Sequence, residues 1–382
     1  MKVGIFIKNY AVGKRFDKSG VPNKSGAEFH AENHAKLLLE AGDSVFIMTK
    51  KNNWLTKGRE CIDNIDVVRL HAPVRWMESV IRLLTTHSNT DCIYILGTPK
   101  FSVWAILWAR YMHKPTTLVL TSKSEIFNKK DGWRYRIFAT CDNYIAISRE
   151  IAHGLIEAGG VSKEKIHILP QGVDTTARFF PVTQELKTLL RKQYNIPVNR
   201  PIVLFCARVV PNKGIRIMLK AWEIVHKKSP NAILLVVGGG ITDLIDEIKT
   251  FGKNCADDSI IVTGEVDRTD DYYKMADVYF FPSEFEGLPT TLMEAIATGL
   301  PCVASDIGGN EDLIKPSGAG VLIDKFDFET FAKEILFLLE HEEQRNAYSK
   351  CGRRYAEKYL DCHLLFSSLR KILLNDLEDL DE

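Results

Sequence analysis

The sequence predicts an α/β protein built from two doubly wound halves. Three observations predict it. Short apolar runs alternate with helix-patterned stretches along nearly the whole chain, the order that makes a parallel sheet. The runs are continuously apolar, as strands covered by helices on both faces are. The alternation stops and restarts near residues 180–200, and 382 residues suits two domains at roughly 100–200 residues each.

Residues 3–7 read as the first buried strand. The polar, Gly- and Lys-rich loop 8–26 exceeds a simple connector and is either functional or mobile. Residues 27–41 carry helical spacing, closed by Gly42 as a C-cap. Strands follow at 44–48, 66–70, 92–96, 117–120 and 143–147, with helical stretches between most of them. Pro170-Gln171-Gly172-Val173-Asp174 is a turn, and 184–194 is a polar helix. The second series has strands at 201–206, 233–237, 260–263, 278–281, 302–304 and 321–323, with a helix over 214–227. The boundary falls between 183 and 184. The last helical stretch, 363–378, is too far in sequence from either sheet to place by pattern. Ligands of such sheets bind at the carboxyl ends of the strands. With two halves, the cleft between them is the default site.

Hydrophobic residues make up 45% and charged residues 26%, which excludes collagen, a disordered chain and a coiled coil. The longest apolar stretch, 101–109, is half a membrane span and reads as a buried helix. The opening apolar run is too short for a signal-peptide core, so the expectation is a soluble cytoplasmic protein. None of the eight cysteines forms Cys-x-x-Cys or stands beside a His pair at zinc spacing; they read as reduced thiols. The net charge of +1 hides an asymmetry. Residues 1–185 carry 26 Lys and Arg against 18 Asp and Glu, and the remainder 24 against 31. The basic first half suits an anionic partner such as a membrane surface, peripheral to its inner face. The alternative is attraction between the two domains. The basic residues are scattered and no nucleic-acid motif occurs, so nucleic acid is not an expected partner. Two basic, aromatic segments, 74–84 and Trp133-Arg134-Tyr135-Arg136, have the composition of membrane-resting surfaces or of core packing.

The densest chemical signal runs from Pro282 to Ala295, directly after a strand. Gly287 permits a tight turn, Pro289 fits a first helical turn, and Gly299 with Pro301 ends the helix. The backbone amides of Leu288 to Thr291 would form an anion site at the helix N-terminus. Glu286 and Glu294 would accept hydrogen bonds from ribose or sugar hydroxyls; otherwise they are two solvated glutamates on an exposed turn. Arg208 and Lys213 share the loop after strand 201–206. A guanidinium and an ammonium there suit a diphosphate, or are two solvated cations. Gly238-Gly239-Gly240 resembles the start of a dinucleotide fingerprint, but Asp243 stands where its last glycine belongs. Close approach of backbone to a ligand is the other use of these glycines. Ser25 and Glu28 have capping-box spacing ahead of a helix.

Together these strand-end loops resemble glycosyltransferase family 4, over nearly the whole chain. The carriers are Glu286 and Glu294 at Glu-x7-Glu spacing, Arg208 with Lys213-Gly214, Gly238 to Gly240, Ala276-Asp277, Gly299-Leu300-Pro301 and Pro170 to Asp174. The resemblance implies the GT-B architecture, two Rossmann-like domains facing a central cleft. The second would grip the nucleotide, the first would hold the acceptor, and the last helix would pack back on the first. It implies a retaining hexosyltransferase taking sugar from a UDP- or GDP-linked donor to a glycan or lipid-linked saccharide in cell-envelope polysaccharide synthesis. Arg208 and Lys213 would contact the diphosphate. Glu286 would hold a sugar hydroxyl, and Glu294 the ribose. The Leu288 to Thr291 amides would cap the phosphate, and Gly287, Leu288, Pro289, Thr290 and Thr291 would line the nucleotide-sugar site. Gly238 and Gly239 would approach the nucleotide, Val266 would lie by the base, and Gly26 would line the site from the first domain. Two departures stand out. Ser25-Gly26 replaces a Gly-Gly pair, and Ser122-Lys123 stands where many members have a His. The only Asp-x-Asp is Asp379-Leu380-Asp381 in an acidic tail, so no metal and no cofactor are expected. The rivals are a sugar-nucleotide epimerase, a dinucleotide-dependent oxidoreductase and an inactive sugar-nucleotide binder.

Overall fold

A computed structural model describes residues 1–10, 26–51, 57–255 and 259–377. The chain divides into two compact units, Met1–Gln171 with Leu365–Glu382, and Gly172–Leu364. The division at Gly172 precedes the sequence boundary at 184 for a physical reason. The Val173 amide donates to Leu360 O (2.8 Å), Cys362 N donates back to Val173 O (3.0 Å), and Phe179 is buried in the second unit's core.

The first unit runs β1 (Lys2–Ile7), α1 (Gly26–Glu40), β2 (Ser44–Lys50), β3 (Arg59–Ile62), β4 (Ile65–Leu70), α2 (Arg75–Leu84), β5 (Cys92–Leu96), α3 (Ser102–Tyr111), β6 (Thr116–Leu120), α4 (Trp133–Phe138), β7 (Asn143–Ala146), α5 (Arg149–Glu157) and β8 (Ile166–Ile168). Its sheet order is β3-β4-β2-β1-β5-β6-β7-β8. Every pairing is parallel except the β3–β4 hairpin. Ile5 sits between Ile47 and Tyr94 in register. Ala31, Ala35 and Leu38 of α1 are fully buried in the same core, the i, i+4, i+7 stripe of an amphipathic helix. Gly42 (φ +79°) ends α1, with Asp43 N reaching back to Leu38 O (2.9 Å), as a left-handed C-cap does. The sequence reading omitted β3 and β8. Both are short and mixed in burial, so neither leaves an apolar run.

The second unit runs α6 (Gln184–Gln193), β9 (Ile202–Cys206), α7 (Ile215–Lys228), β10 (Ile233–Val237), α8 (Thr242–Cys255), β11 (Ile260–Gly264), α9 (Thr269–Met275), β12 (Val278–Phe281), α10 (Thr290–Thr298), β13 (Cys302–Ser305), α11 (Gly308–Ser317), β14 (Gly320–Ile323), α12 (Phe328–Glu340) and α13 (Glu342–Tyr359). Its parallel sheet has the order β11-β10-β9-β12-β13-β14, doubly wound with its switch point between β9 and β12. β9, β10, β12 and β13 are buried at every residue. Asp277, matched in the resemblance, is structural: it accepts from Arg191 Nη2 (2.8 Å) and Ile202 N (2.7 Å) and tethers α6 to the sheet.

A last helix, α14 (Cys362–Leu374), supplies what sequence pattern left unplaced. Its Leu369, Ile372 and Leu373 are buried in the first unit's core. Arg370 pairs with Asp43 (3.0 Å), and Asn143 Nδ2 donates to Ile372 O (3.0 Å). No helix among the described residues is long and apolar enough to cross a membrane.

Candidate active site

The second unit's sheet order sets the carboxyl ends of β10, β9, β12 and β13 side by side. The loops leaving these strands carry most of the residues singled out from sequence. The loop after β9 ends in a 3₁₀ turn at Pro211–Lys213 and a left-handed Gly214 (φ +69°). A Cβ at Gly214 would stand 1.8 Å from Pro282 O, so glycine lets this loop lie against the one after β12. Asn212 O accepts from Glu284 N (2.9 Å) and lies 3.0 Å from Ser283 Oγ.

This docking brings Lys213 and Glu286 together. The Lys213 ammonium pairs with Glu286 Oε1, and the fully buried Ser283 hydroxyl lies 2.5 Å from the same oxygen. The two charged side chains are only 15% and 9% exposed, so neither is a solvated surface charge. Lys213 Nζ also stands 5.4 Å from the Phe281 ring centroid, a cation–π contact. Ser283 was missed from sequence. Its one signal was its place three residues before Glu286, and only the docked loop of Asn212 gives it a role.

Eight residues on, Glu294 lies inside α10 and is buried. Burial pushes its carboxyl up to about 7, against the opposing influence of a hydrogen bond from Tyr273 and the nearby Arg178 charge. A buried carboxyl with little compensation gains from hydroxyl donors. Tyr273 and Arg178 had no sequence signal, because α9 and the 172–183 segment approach α10 only in the folded chain.

α10 begins at Thr290, with Pro289 as N-cap (φ −76°) rather than in its first turn. Proline has no N–H, which corrects the expected run of donors: Leu288, Thr290 and Thr291 carry them. None of these three amides has a backbone acceptor among the described residues. Gly309, in the first turn of α11, packs on this loop, where a Cβ would lie 2.2 Å from Gly287 O.

The glycines after β10 have a packing reason. A Cβ on Gly238 (φ +137°) or Gly240 would meet Ala207 O or Val209 O at 2.1 Å. Val209 N donates to Gly239 O (2.9 Å). These glycines let the β9 and β10 loops touch, which brings Arg208 into the row. Arg208 is exposed and has no ion pair among the described residues. Val266 is half-buried just past β11, against the second core.

In the first unit, Gly26 opens α1, while Ser25 and most of the loop 8–26 lie outside the described residues. Lys123 is paired with Glu150, so its charge is already engaged. Sequence reading also missed the buried pair His30 and His34, whose rings lie 4.2 Å apart. His34 Nδ1 is 2.7 Å from Tyr94 OH, and burial lowers His30 to about 4. Among the described residues there is no cluster of three or more His, Cys, Asp or Glu arranged to hold a metal. Asp379-Leu380-Asp381 lies outside the described residues.

Comparison with known proteins follows the same division. Residues 187–355 match the family described as Glycosyl transferases group 1, and residues 24–177 match Glycosyltransferase Family 4. The D-inositol 3-phosphate glycosyltransferase of Xylanimonas cellulosilytica is 31% identical over 231 residues, 58% of this chain and 54% of that protein. The chain thus spans about half the length of that relative. The capsular polysaccharide biosynthesis glycosyltransferase CapM of Staphylococcus aureus is 21% identical over 78% of this chain and 80% of its own. The structure of Anabaena HepE in complex with UDP superposes with a TM-score of 0.77 at 17% identity, over 98% of this chain and 100% of that one. With both units matched and the two parallel-sheet folds in place, the chain belongs to the group 1 glycosyltransferases of family 4 and has the GT-B fold.

Proposed function

We propose that the protein transfers a hexosyl group, with retention at the anomeric carbon, from a UDP- or GDP-linked donor to a glycan or lipid-linked saccharide. The observation that carries this reading is the buried Lys213–Glu286–Ser283 cluster ahead of an α10 N-terminus with open amides. A nucleoside diphosphate leaves with negative charge growing on its phosphate oxygens. Lys213, Arg208 and the amides of Leu288, Thr290 and Thr291 are the groups that would meet that charge, a form of stabilisation typically worth a few kcal/mol per donor. These groups take the place a divalent cation fills elsewhere, so the proposed reaction is independent of metal. Glu286, already facing a cation and a hydroxyl, accepts from a donor-sugar hydroxyl. Glu294, buried and short of donors, accepts from the ribose hydroxyls. Glu286 and Glu294 have these other tasks, so neither is assigned as a nucleophile behind the sugar. The acceptor oxygen attacks from the face that the phosphate leaves. The bond from the anomeric carbon to the phosphate oxygen breaks, the bond to the acceptor forms, and the acceptor proton passes to the departing phosphate.

Capsular polysaccharide biosynthesis is the process named for CapM and UDP is the ligand named for HepE; both support a nucleotide-sugar donor and an acceptor in cell-envelope polysaccharide synthesis. Thermal-shift screening against UDP, GDP, ADP, their sugar conjugates and NAD, with and without EDTA, tests the reading. Binding to the native state raises Tm by mass action. A shift with one nucleoside diphosphate that survives EDTA is the expected result. A shift with NAD alone overturns it. Mass spectrometry of the protein incubated with donor then tests the front-face step, which a covalent glycosyl adduct would refute. Release of an altered sugar nucleotide without acceptor would mark an epimerase.

A further inference from the structure

We propose that the outer face of α2, α3 and α4 in the first unit docks on an anionic phospholipid surface. α2 turns Ser79 and Leu83 inward. Outward it presents Val74, Met77, Ile81 and Leu84, each 42–56% exposed, at i, i+3, i+7 and i+10. A surface helix ordinarily shows polar residues on that side. α3 packs beside it and carries a second stripe at i, i+3 and i+7: Trp104 is half-buried, Leu107 is exposed, and Tyr111 is 80% exposed. Three indoles join the helices, with Trp76 and Trp104 centroids 4.9 Å apart and Trp104 and Trp133 6.4 Å apart. Trp76 and Trp133 are about half exposed.

The charge around this face selects the partner. The only carboxylate of α2, Glu78, is engaged by Arg82 (3.1 Å) and His71 (3.1 Å). Arg75, beside Trp76, and Arg134 and Arg136, beside Trp133, make no ion pair among the described residues. An apolar, indole-rich surface edged by unpaired guanidiniums matches an acyl boundary under lipid phosphates. Trp and Tyr rest at the headgroup level with the ring in the apolar zone, and Arg is drawn to the anionic surface. The helices are too short to span a bilayer, so the face lies on it. This inference stands apart from the transferase reading, which rests on the second unit.

The test is co-sedimentation of the full chain with vesicles of phosphatidylcholine alone and of phosphatidylcholine with phosphatidylglycerol. Binding only to the anionic vesicles, weakened by salt, is expected. Trp76→Ser/Trp133→Ser and Arg134→Glu/Arg136→Glu should each weaken partitioning by at least about tenfold, while leaving Tm and the nucleotide-induced shift unchanged. Absence of binding to anionic vesicles overturns the proposal, as does equal binding to neutral ones or binding indifferent to both variant pairs. A dimer in solution that the tryptophan pair abolishes, without vesicle binding, would assign the face to a second copy of the chain. None of these outcomes touches nucleotide binding, so failure here leaves the transferase reading standing.

Discussion

Both sheets are doubly wound, and in each a pair of neighbouring strand-end loops meets around a carboxylate, with different results. In the second unit, the loops after β9 and β12 are locked by Gly214 on Pro282 and by Asn212 with Ser283 and Glu284. The lock leaves a carboxylate facing a cation and a hydroxyl. In the first unit, the loops after β5 and β6 also meet around a carboxylate, Glu125. Its Oε2 accepts from Thr121 N (2.7 Å) and Ser122 N (3.2 Å), and Gly97 (φ +66°) makes room for its other oxygen. Burial raises the Glu125 carboxyl against these hydrogen bonds. Glu125 is held mainly by backbone amides, with the Thr121 hydroxyl at 3.2 Å, and closes a turn, whereas the partners of Glu286 are side chains, Lys213 and Ser283. One scaffold thus supplies a structural carboxylate and the carboxylate proposed to accept from the donor sugar, the first held mainly by backbone amides and the second by side chains.

The largest effect that would sharpen this contrast is expected at Lys213. Lys213→Ala should lower kcat about 100-fold or more while changing the donor Kd much less, because leaving-group charge peaks in the transition state. Steady-state kinetics with a binding isotherm separates the two, and an unchanged kcat would remove Lys213 from the site. Next comes the lock itself. Gly214→Ala meets Pro282 O as well as an unfavourable φ, and should cost about 2 kcal/mol or more in denaturant unfolding. In the first unit, Gly42→Ala meets only the φ penalty, with nothing within 4 Å, and should cost about 1 kcal/mol. Equal losses would break the comparison.

The third expectation is a pH effect at Glu294, whose carboxyl burial raises from the ordinary 4.5 to about 7. A raised carboxyl gives stability below the unfolded value and loses it as pH climbs through 7. The ligand-free protein should therefore lose Tm from pH 5 to 8, and Glu294→Gln should flatten that loss. Hydroxyl donors favour the ionised form, so nucleotide affinity should rise up to about tenfold from pH 6 to 8, and less in the variant. Parallel pH profiles of the two proteins would refute the role. The smallest effect is expected at Lys123→Ala. Its partly exposed pair with Glu150 is worth at most about 1 kcal/mol, and donor affinity should change less than twofold.

Much of both the fold and the candidate site was legible in the chain. The continuous apolar runs located twelve strands, because a strand covered on both faces has no polar side to show. β3 and β8 stayed hidden because half-exposed edge strands break that pattern. Local signals also set Gly42 and Gly299 as helix ends, and both are left-handed in the structure, since glycine alone adopts that backbone without strain; Gly214, read as the start of a helix, proves to be a left-handed cap as well. Glu286, Glu294, Arg208 and Lys213 were legible as residue types at a fixed spacing.

What the sequence alone determined is therefore local: which segments are strands and helices, where they stop, and which charged residues follow a strand. Tertiary structure decided which of those charges meet. Lys213 and Glu286 are 73 residues apart in the chain, and only the order β10-β9-β12-β13 makes their loops neighbours. It also decided that Lys123 is engaged by Glu150, that Glu294 is buried enough to shift, and that α14 completes the first core. Strand order and burial depend on long-range packing of surfaces that one segment cannot encode by itself, and the chemistry of a charged group depends on what that packing places beside it.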